Sequence, residues 1–464
     1  MTTGSGNGTA TPAARARRGG QVWRVIAAGV VGTSLEWYDF FLYGTAAALV
    51  FGELFFPTSD PLVGTLLAFA TYAVGFVARP VGGVIAGHLG DRTGRRRVLV
   101  GTLVVMGLAT VAIGLLPTYG TIGVAAPILL VVLRFVQGLG LGGEWGGAVL
   151  MVSEHGDERR RGLYASWPQV GVPAGNLLAA GVLAVLAATL SDHAFTSWGW
   201  RIPFLLSAVL VGVGLFIRLR IDESPLFKEV EESGTQATSP VLEVVRAYPR
   251  RLAIAFGARL GTDVAFYVFA LFIITYVTTE LGLSKSTALD AVLIGSGLQL
   301  LLIPAFGALS DRVGRRPVYA AGALGASVWA FAFFPLLDTK AWGWIVIAAV
   351  GGLFFHALMY GPQAAFISEL FGTRVRYSGA SLGYQLAGVA GGALAPIIAT
   401  ALLAAYDSSL AVSLYVAAAL LVTLVALAAA PEYAGEDLEE TAPEAEARLV
   451  REGAEQRPGR VRTS

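Results

Sequence analysis

The sequence predicts an all-α integral membrane protein with twelve transmembrane helices in two pseudo-symmetric six-helix bundles. Three observations carry this. The 464 residues are 55% hydrophobic and only 14% charged, with a mean hydropathy of +0.66, where a soluble domain carries about 25% charged residues. The apolar residues fall into twelve long runs. Polar segments between those runs recur in the same order in the two halves of the chain.

The composition excludes several classes. A chain this apolar would expose far too much hydrophobic surface in water, and it is not a disordered protein, a collagen-like fibre or a disulfide scaffold. There are no cysteines, so thiol catalysis, disulfides, Fe–S clusters and Cys-based zinc sites are out. His88, His155, His193 and His356 are scattered without zinc spacing.

A spanning helix needs about 20 apolar residues. The runs lie at 25–51, 62–86, 98–117, 124–151, 163–190, 200–217, 252–278, 287–309, 317–337, 342–367, 378–404 and 409–430. They are continuous, whereas barrel strands alternate over about ten residues. Lys and Arg set the orientation: 27 of 33 fall in the tails and in the loops after even-numbered spans, so both termini are expected on the cytoplasmic side. Residues 1–21 read as a disordered tail and not a signal peptide, because the following apolar run is too long and carries Glu36 and Asp39. The expected organisation is this tail, a first bundle at 22–218, a cytoplasmic linker at 219–250, a second bundle at 251–430 and a cytoplasmic tail at 431–464.

The repeat appears in three places. Gly87-His88-Leu89-Gly90-Asp91-Arg92-Thr93-Gly94-Arg95-Arg96 follows span 2, and Gly307-Ala308-Leu309-Ser310-Asp311-Arg312-Val313-Gly314-Arg315-Arg316 follows span 8, at an offset of 220. Ser153-Glu154 with Arg161 and Ser368-Glu369 with Arg376 follow spans 4 and 10, at an offset of 215. Gly32-Thr33 and Gly261-Thr262 lie in spans 1 and 7, at an offset of 229. A duplicated helical unit is the signature of many secondary transporters, whose substrate site lies between the halves near the bilayer midplane.

A charge at a helix centre costs roughly 2.5–3.5 kcal/mol on insertion scales, so each one is a functional candidate. Near mid-span stand Glu36 and Asp39 in span 1, Arg134 in span 4, Arg259 and Asp263 in span 7 and His356 in span 10. These are the first spans of every triplet, which suits a cavity lined by one helix from each. Glu36, Asp39 and Tyr43 share one helix face. Two carboxylates that close cannot both ionise cheaply in a poorly hydrated site, which suits one of them to load and unload a proton; the bland alternative is a static salt bridge. Arg134 is the fixed counter-charge. The second half has Ala265 and Val268 at the matching positions, so a proton site belongs to the first half.

Arg259 and Asp263, at i and i+4, either neutralise each other or release Arg259 to a substrate carboxylate. Tyr267, Gln137, Gln299, and His356 with Tyr360 and Gln363 complete the expected cavity. Arg79 and Asp290, nearer span ends, are expected to snorkel. Gly138, Gly140 and Gly143 match G-x-G-x-x-G inside an apolar span with no preceding strand; close helix packing explains them better than a nucleotide. No P-loop motif occurs, and the arginine runs are loop charges, not a nucleic-acid footprint.

The Gly87–Arg96 loop and its copy resemble the loop signature of the major facilitator superfamily. Glu36-Trp37-Tyr38-Asp39-Phe40, Arg79-Pro80-Val81-Gly82-Gly83, Arg134-Phe135-Val136-Gln137-Gly138, Trp198-Gly199-Trp200-Arg201-Ile202-Pro203-Phe204 and Glu223-Ser224-Pro225 narrow the resemblance to the metabolite:proton symporter family, which includes shikimate, α-ketoglutarate, citrate and proline/betaine permeases. The resemblance implies alternating access, with Arg134 and a span-1 acid in proton coupling: Asp39 is the closer match and Glu36 the second. It also implies a cytoplasmic gate built from Gly87, Gly90, Asp91 with Arg95, Glu154 with Arg161, Asp311 with Arg315 and Glu369 with Arg376. The expected activity is proton-driven import of a small polar metabolite, an organic acid such as shikimate or a dicarboxylate, across the cytoplasmic membrane by a monomer with no cofactor. An uncoupled facilitator is the rival, and a membrane receptor or enzyme a remote one.

Overall fold

The structure, a computed structural model, describes residues 12–57, 60–93, 95–142, 160–219, 240–371 and 376–432. Twelve long helices follow the twelve apolar runs. In the first half these are α1 (Pro12–Ala46, carried on through a π turn at Ala47–Phe51 to Gly52–Phe55), α2 (Pro61–Thr93), α3 (Arg95–Leu115), α4 (Ala125–Leu141), α5 (Arg161–Thr189) and α6 (Arg201–Leu219). The second half has α7 (Pro249–Glu280), α8 (Lys285–Val313), α9 (Arg315–Asp338), α10 (Trp342–Glu369), α11 (Arg376–Ala387, continuing to Tyr406) and α12 (Ser409–Ala429). Among the described residues, eight helices are long and apolar enough to cross a membrane unbroken, and α6 with the preceding Asp192–Gly199 forms a ninth, bent by 43°.

Two boundaries differ from expectation. α1 begins at Pro12, so the second half of the expected disordered tail is helical. Proline at a first helical position followed by alanines and arginines favours that outcome. The linker carries a short helix at Pro240–Ala247, which buries Val244; the rest of it, 220–239, and the tail from 433 lie outside the described residues.

The sequence repeat is a packing repeat. α2 packs on α4 as α8 does on α10, α3 on α6 as α9 on α12, α3 on α4 as α9 on α10, and α1 on α5 as α7 on α11. The π turn of α1 at Ala47–Phe51 recurs in α7 at Tyr276–Glu280, at the same offset of 229 that relates Thr33 to Thr262. The halves meet along α5 against α8 and α2 against α11.

Glycines set the closest approaches. A Cβ on Gly138 would strike the Gly75 carbonyl of α2, and one on Gly140 would press on Thr102 of α3. A Cβ on Gly82 would collide with the Leu139 backbone. The nucleotide-like glycine spacing therefore serves helix contact at Gly138 and Gly140, with Gly143 outside the described residues.

Candidate functional site

The mid-span charges are all buried. Their partners differ from the expected pairing. Asp39 accepts hydrogen bonds from the Thr110 hydroxyl of α3 (3.0 Å) and the Ser207 hydroxyl of α6 (2.7 Å). The Thr110 oxygen in turn accepts from Gln137 Nε2 at 2.8 Å, and the Gln137 carbonyl accepts from Arg134. Every donor in this chain points toward Asp39. Aligned hydrogen bonds of this kind polarise one another in a low-dielectric site.

Glu36 faces elsewhere: it pairs with Arg79 of α2 at 3.4 Å. The three-residue step along α1 thus separates two carboxylates that the sequence grouped in one cluster, giving each its own donors. Arg79 is a correction too. It does not reach for the membrane edge but is 2% exposed, stacked among Trp37, Phe40 and Phe76. α2 is 33 residues long, well beyond the ~20 that span a bilayer, so its C-terminal end at Thr93 lies far past Arg79.

Arg134 is fully buried, its guanidinium ringed by Phe40 (4.5 Å), Tyr43 (4.3 Å) and Tyr72 (4.9 Å). Gly75 makes the room: a Cβ there would stand 2.5 Å from Arg134 Nε. Tyr43 is tied to Thr71 at 2.7 Å. Arg134 Nε and Nη2 are buried with no hydrogen-bond partner.

In the second half, Arg259 donates to Asp263 at 2.8 Å, one turn along α7, and its guanidinium lies on the Tyr384 ring of α11. Arg259 Nη1 has no partner. His356 Nδ1 accepts from Gln299 Nε2 (2.8 Å), and the ring stacks on Tyr360 and touches Phe266. Gln363 donates to Tyr319 (2.6 Å), which is itself bonded to Thr262 and the Ala258 carbonyl. Tyr319 therefore links α9 to α7, and Gln363 ties α10 to that link. Tyr267 reaches across the halves to Tyr72 and Phe76, and Phe41 meets Phe266 at 5.6 Å.

Sequence reasoning passed over Thr110, Ser207 and the buried inter-half bond from Asn176 to Ser296 (3.0 Å). Hydroxyls and small amides are common in apolar helices, so nothing in the sequence marks them.

At the expected cytoplasmic end, Arg315 is the hub. It binds Asp311 at 2.6 Å and Glu369 at 3.2 Å. Asp311 also accepts from the backbone N–H groups of Gly162 and Leu163, at 2.7 and 2.9 Å, and so caps the start of α5 from the other half. Arg161, at that start, is 7% exposed. Arg376 donates through Nε to the Phe371 carbonyl. Arg315 thus holds Asp311, as expected, and Glu369 as well. In the first half Gly87, Gly90 and Asp91 close α2 and Arg95 opens α3; Glu154 lies outside the described residues.

The sequence profile of the sugar (and other) transporter family matches residues 25–247 and 228–445. The chain belongs to that family. It is 42% identical over 412 residues to the inner membrane metabolite transport protein YhjE of Escherichia coli K12, covering 87% of this chain and 93% of the relative. It is 43% identical over 375 residues to the shikimate transporter of the same strain (80% and 86% covered) and 33% over 442 residues to its proline/betaine transporter (92% and 87%). Among solved structures, the proton:xylose symporter XylE bound to 6-bromo-6-deoxy-D-glucose matches with a TM-score of 0.71 at 19% identity, covering 93% of this chain and 99% of that one. An inward-open XylE matches at 0.68 and 20%, covering 92% of this chain and 99% of that one. The family member described here is a membrane transporter of major facilitator fold, not an enzyme.

Proposed function

We propose that this transporter is a proton-coupled importer of a small organic acid, with Asp39 as the proton carrier and Arg134 and Arg259 as the groups that receive the substrate. The hydrogen-bonded chain from Arg134 through Gln137 and Thr110 to Asp39 carries the reading. It joins a carboxylate that can change charge to an arginine that keeps its own.

The unsatisfied donors support an anionic solute. A buried donor without a partner costs about 1–3 kcal/mol. Arg134 leaves two N–H-bearing nitrogens and Arg259 one unpaired in the closed cavity, and a carboxylate would satisfy them. One relative, named a shikimate transporter, supports the same solute class. Loading and release would alternate through rocking of the halves about α5–α8 and α2–α11, with the Arg315 bracket closing the cytoplasmic side and both termini cytoplasmic.

The test is uptake into proteoliposomes. The wild type should accumulate shikimate under an inward proton gradient. Asp39→Asn should abolish accumulation while retaining counterflow of preloaded substrate. Accumulation by Asp39→Asn would remove Asp39 from the coupling role, and a wild type that equilibrates shikimate without accumulating it would make the protein an uncoupled facilitator.

A further inference from the structure

The central site holds six charged side chains away from the helix ends among the described residues: Arg79, Arg134 and Arg259 against Glu36, Asp39 and Asp263. None is more than 5% exposed. They lie in one packed unit: Arg79 and Arg134 both sit over the Phe40 ring, and Phe76, beneath Arg79, meets Tyr267 of the second half, one turn along α7 from Asp263. Glu36 is matched by Arg79 and Asp263 by Arg259 within ion-pair distance. Asp39 and Arg134 are left to balance each other through two uncharged side chains. With Asp39 ionised, three positive charges stand against three negative ones.

The groups facing this unit do not alter the balance. Tyr38 and Tyr43 come from α1, Tyr72 from α2, Thr110 from α3, Ser207 from α6 and Tyr267 from α7, with His356 and Tyr360 from α10 and Tyr384 from α11. The tyrosines and hydroxyls are uncharged, and His356 is held by the Gln299 amide at 2.8 Å beside the Tyr360 ring, with no acid within ion-pair distance among the described residues.

A membrane interior tolerates unbalanced charge poorly. We propose, building on the proton-coupled reading above, that the site accepts one singly charged organic anion per proton, so that the loaded carrier crosses the membrane electrically neutral. Protonating Asp39 leaves the cluster with one surplus positive charge, held on Arg134, whose Nε and Nη2 have no partner. One monocarboxylate restores neutrality and fills those donors. A dicarboxylate overshoots by one charge and a zwitterion leaves the surplus in place. The same balance makes binding mutual: the anion favours the protonated acid, and the proton favours the anion, by the same factor.

Two measurements on the full-length protein test this. In proteoliposomes, a proton gradient alone should drive accumulation of shikimate, and an inside-positive or inside-negative potential set by potassium and valinomycin at equal pH should leave its distribution unchanged. Succinate at pH 7.5, as the dianion, should neither accumulate nor compete. In detergent, the wild type's shikimate affinity should fall about tenfold per pH unit once Asp39 ionises, while Asp39→Asn should bind at pH 8 as tightly as the wild type does at pH 5.5.

Accumulation driven by potential alone, or preference for succinate dianion over shikimate, overturns the charge balance even where the proton gradient still drives uptake. If neither gradient drives accumulation, proton coupling itself fails and the inference goes with it. Equal pH dependence of binding in the wild type and Asp39→Asn would place the compensating proton on another group and overturn the assignment.

Discussion

Asp39 and Arg134 do not touch: the Thr110 hydroxyl and the Gln137 amide stand between them, and each link in the chain donates toward the carboxylate. A buried acid and a buried arginine can sense each other this way without locking into an ion pair. Breaking a buried pair costs about 3–5 kcal/mol when one partner is removed. A relay through neutral groups can reset with each proton by turning one hydroxyl, and Thr110 already has a second acceptor in the Met106 carbonyl at 3.0 Å.

Thr110 is accordingly a positioning residue for the proton site. Thr110→Val keeps the shape and removes the hydroxyl. A hydrogen bond to a charged group is worth about 1.5–3 kcal/mol, so Thr110→Val should lower the steady-state accumulation ratio about tenfold or more and shift the pH profile of uptake. Thr110→Ser, which keeps the hydroxyl, should restore both. A valine variant with the wild-type pH profile would show that the hydroxyl is packing only.

Glu36 predicts a different phenotype from Asp39. Its partner Arg79 is stacked in an aromatic nest at 2% exposure. Glu36→Gln leaves that buried cation short of its counter-charge and should destabilise the fold by about 3–5 kcal/mol, read as a lower unfolding temperature in detergent. Asp39→Asn keeps one carbonyl acceptor for the Thr110 hydroxyl and turns its amide N–H toward Ser207, whose hydroxyl can accept it, and should unfold near the wild-type temperature while losing coupling. Equal thermal stability of the two variants would refute the separation.

Gly75 exists to admit the Arg134 guanidinium, since a Cβ would stand 2.5 Å from Nε. Gly75→Ala should weaken substrate affinity about tenfold while the protein still folds, because overpacking costs about 1–3 kcal/mol and the arginine's end is the movable part. Unchanged affinity would mean the guanidinium shifts without consequence for substrate.

Asp311 ties the second half to the first by capping the N-terminus of α5. A carboxylate at a helix N-terminus contributes up to ~2 kcal/mol in a partly buried setting. Asp311→Asn should therefore favour opening on that side. The absence of native cysteine makes labelling clean: a cysteine introduced at Ser166 should react faster with a thiol reagent applied from the cytoplasmic face in the Asp311→Asn background. Equal rates would argue against the bracket as a gate.

The amino-acid sequence by itself determined the twelve spans, the duplicated halves and the identity of the buried charges, because hydropathy and Arg placement act locally and along one dimension. It marked Glu36, Asp39, Arg134, Arg259 and His356, all of which the structure buries within long helices. Partnership was decided only by the tertiary structure. Rotation of α1 sends Glu36 to Arg79 and Asp39 to Thr110 and Ser207, and the length of α2 buries an arginine that looked peripheral. At the start of α9, Arg315 lies within reach of both Asp311 and Glu369. Such choices depend on which faces of neighbouring helices meet, a relation set by glycine contacts and ring packing between residues far apart in the chain.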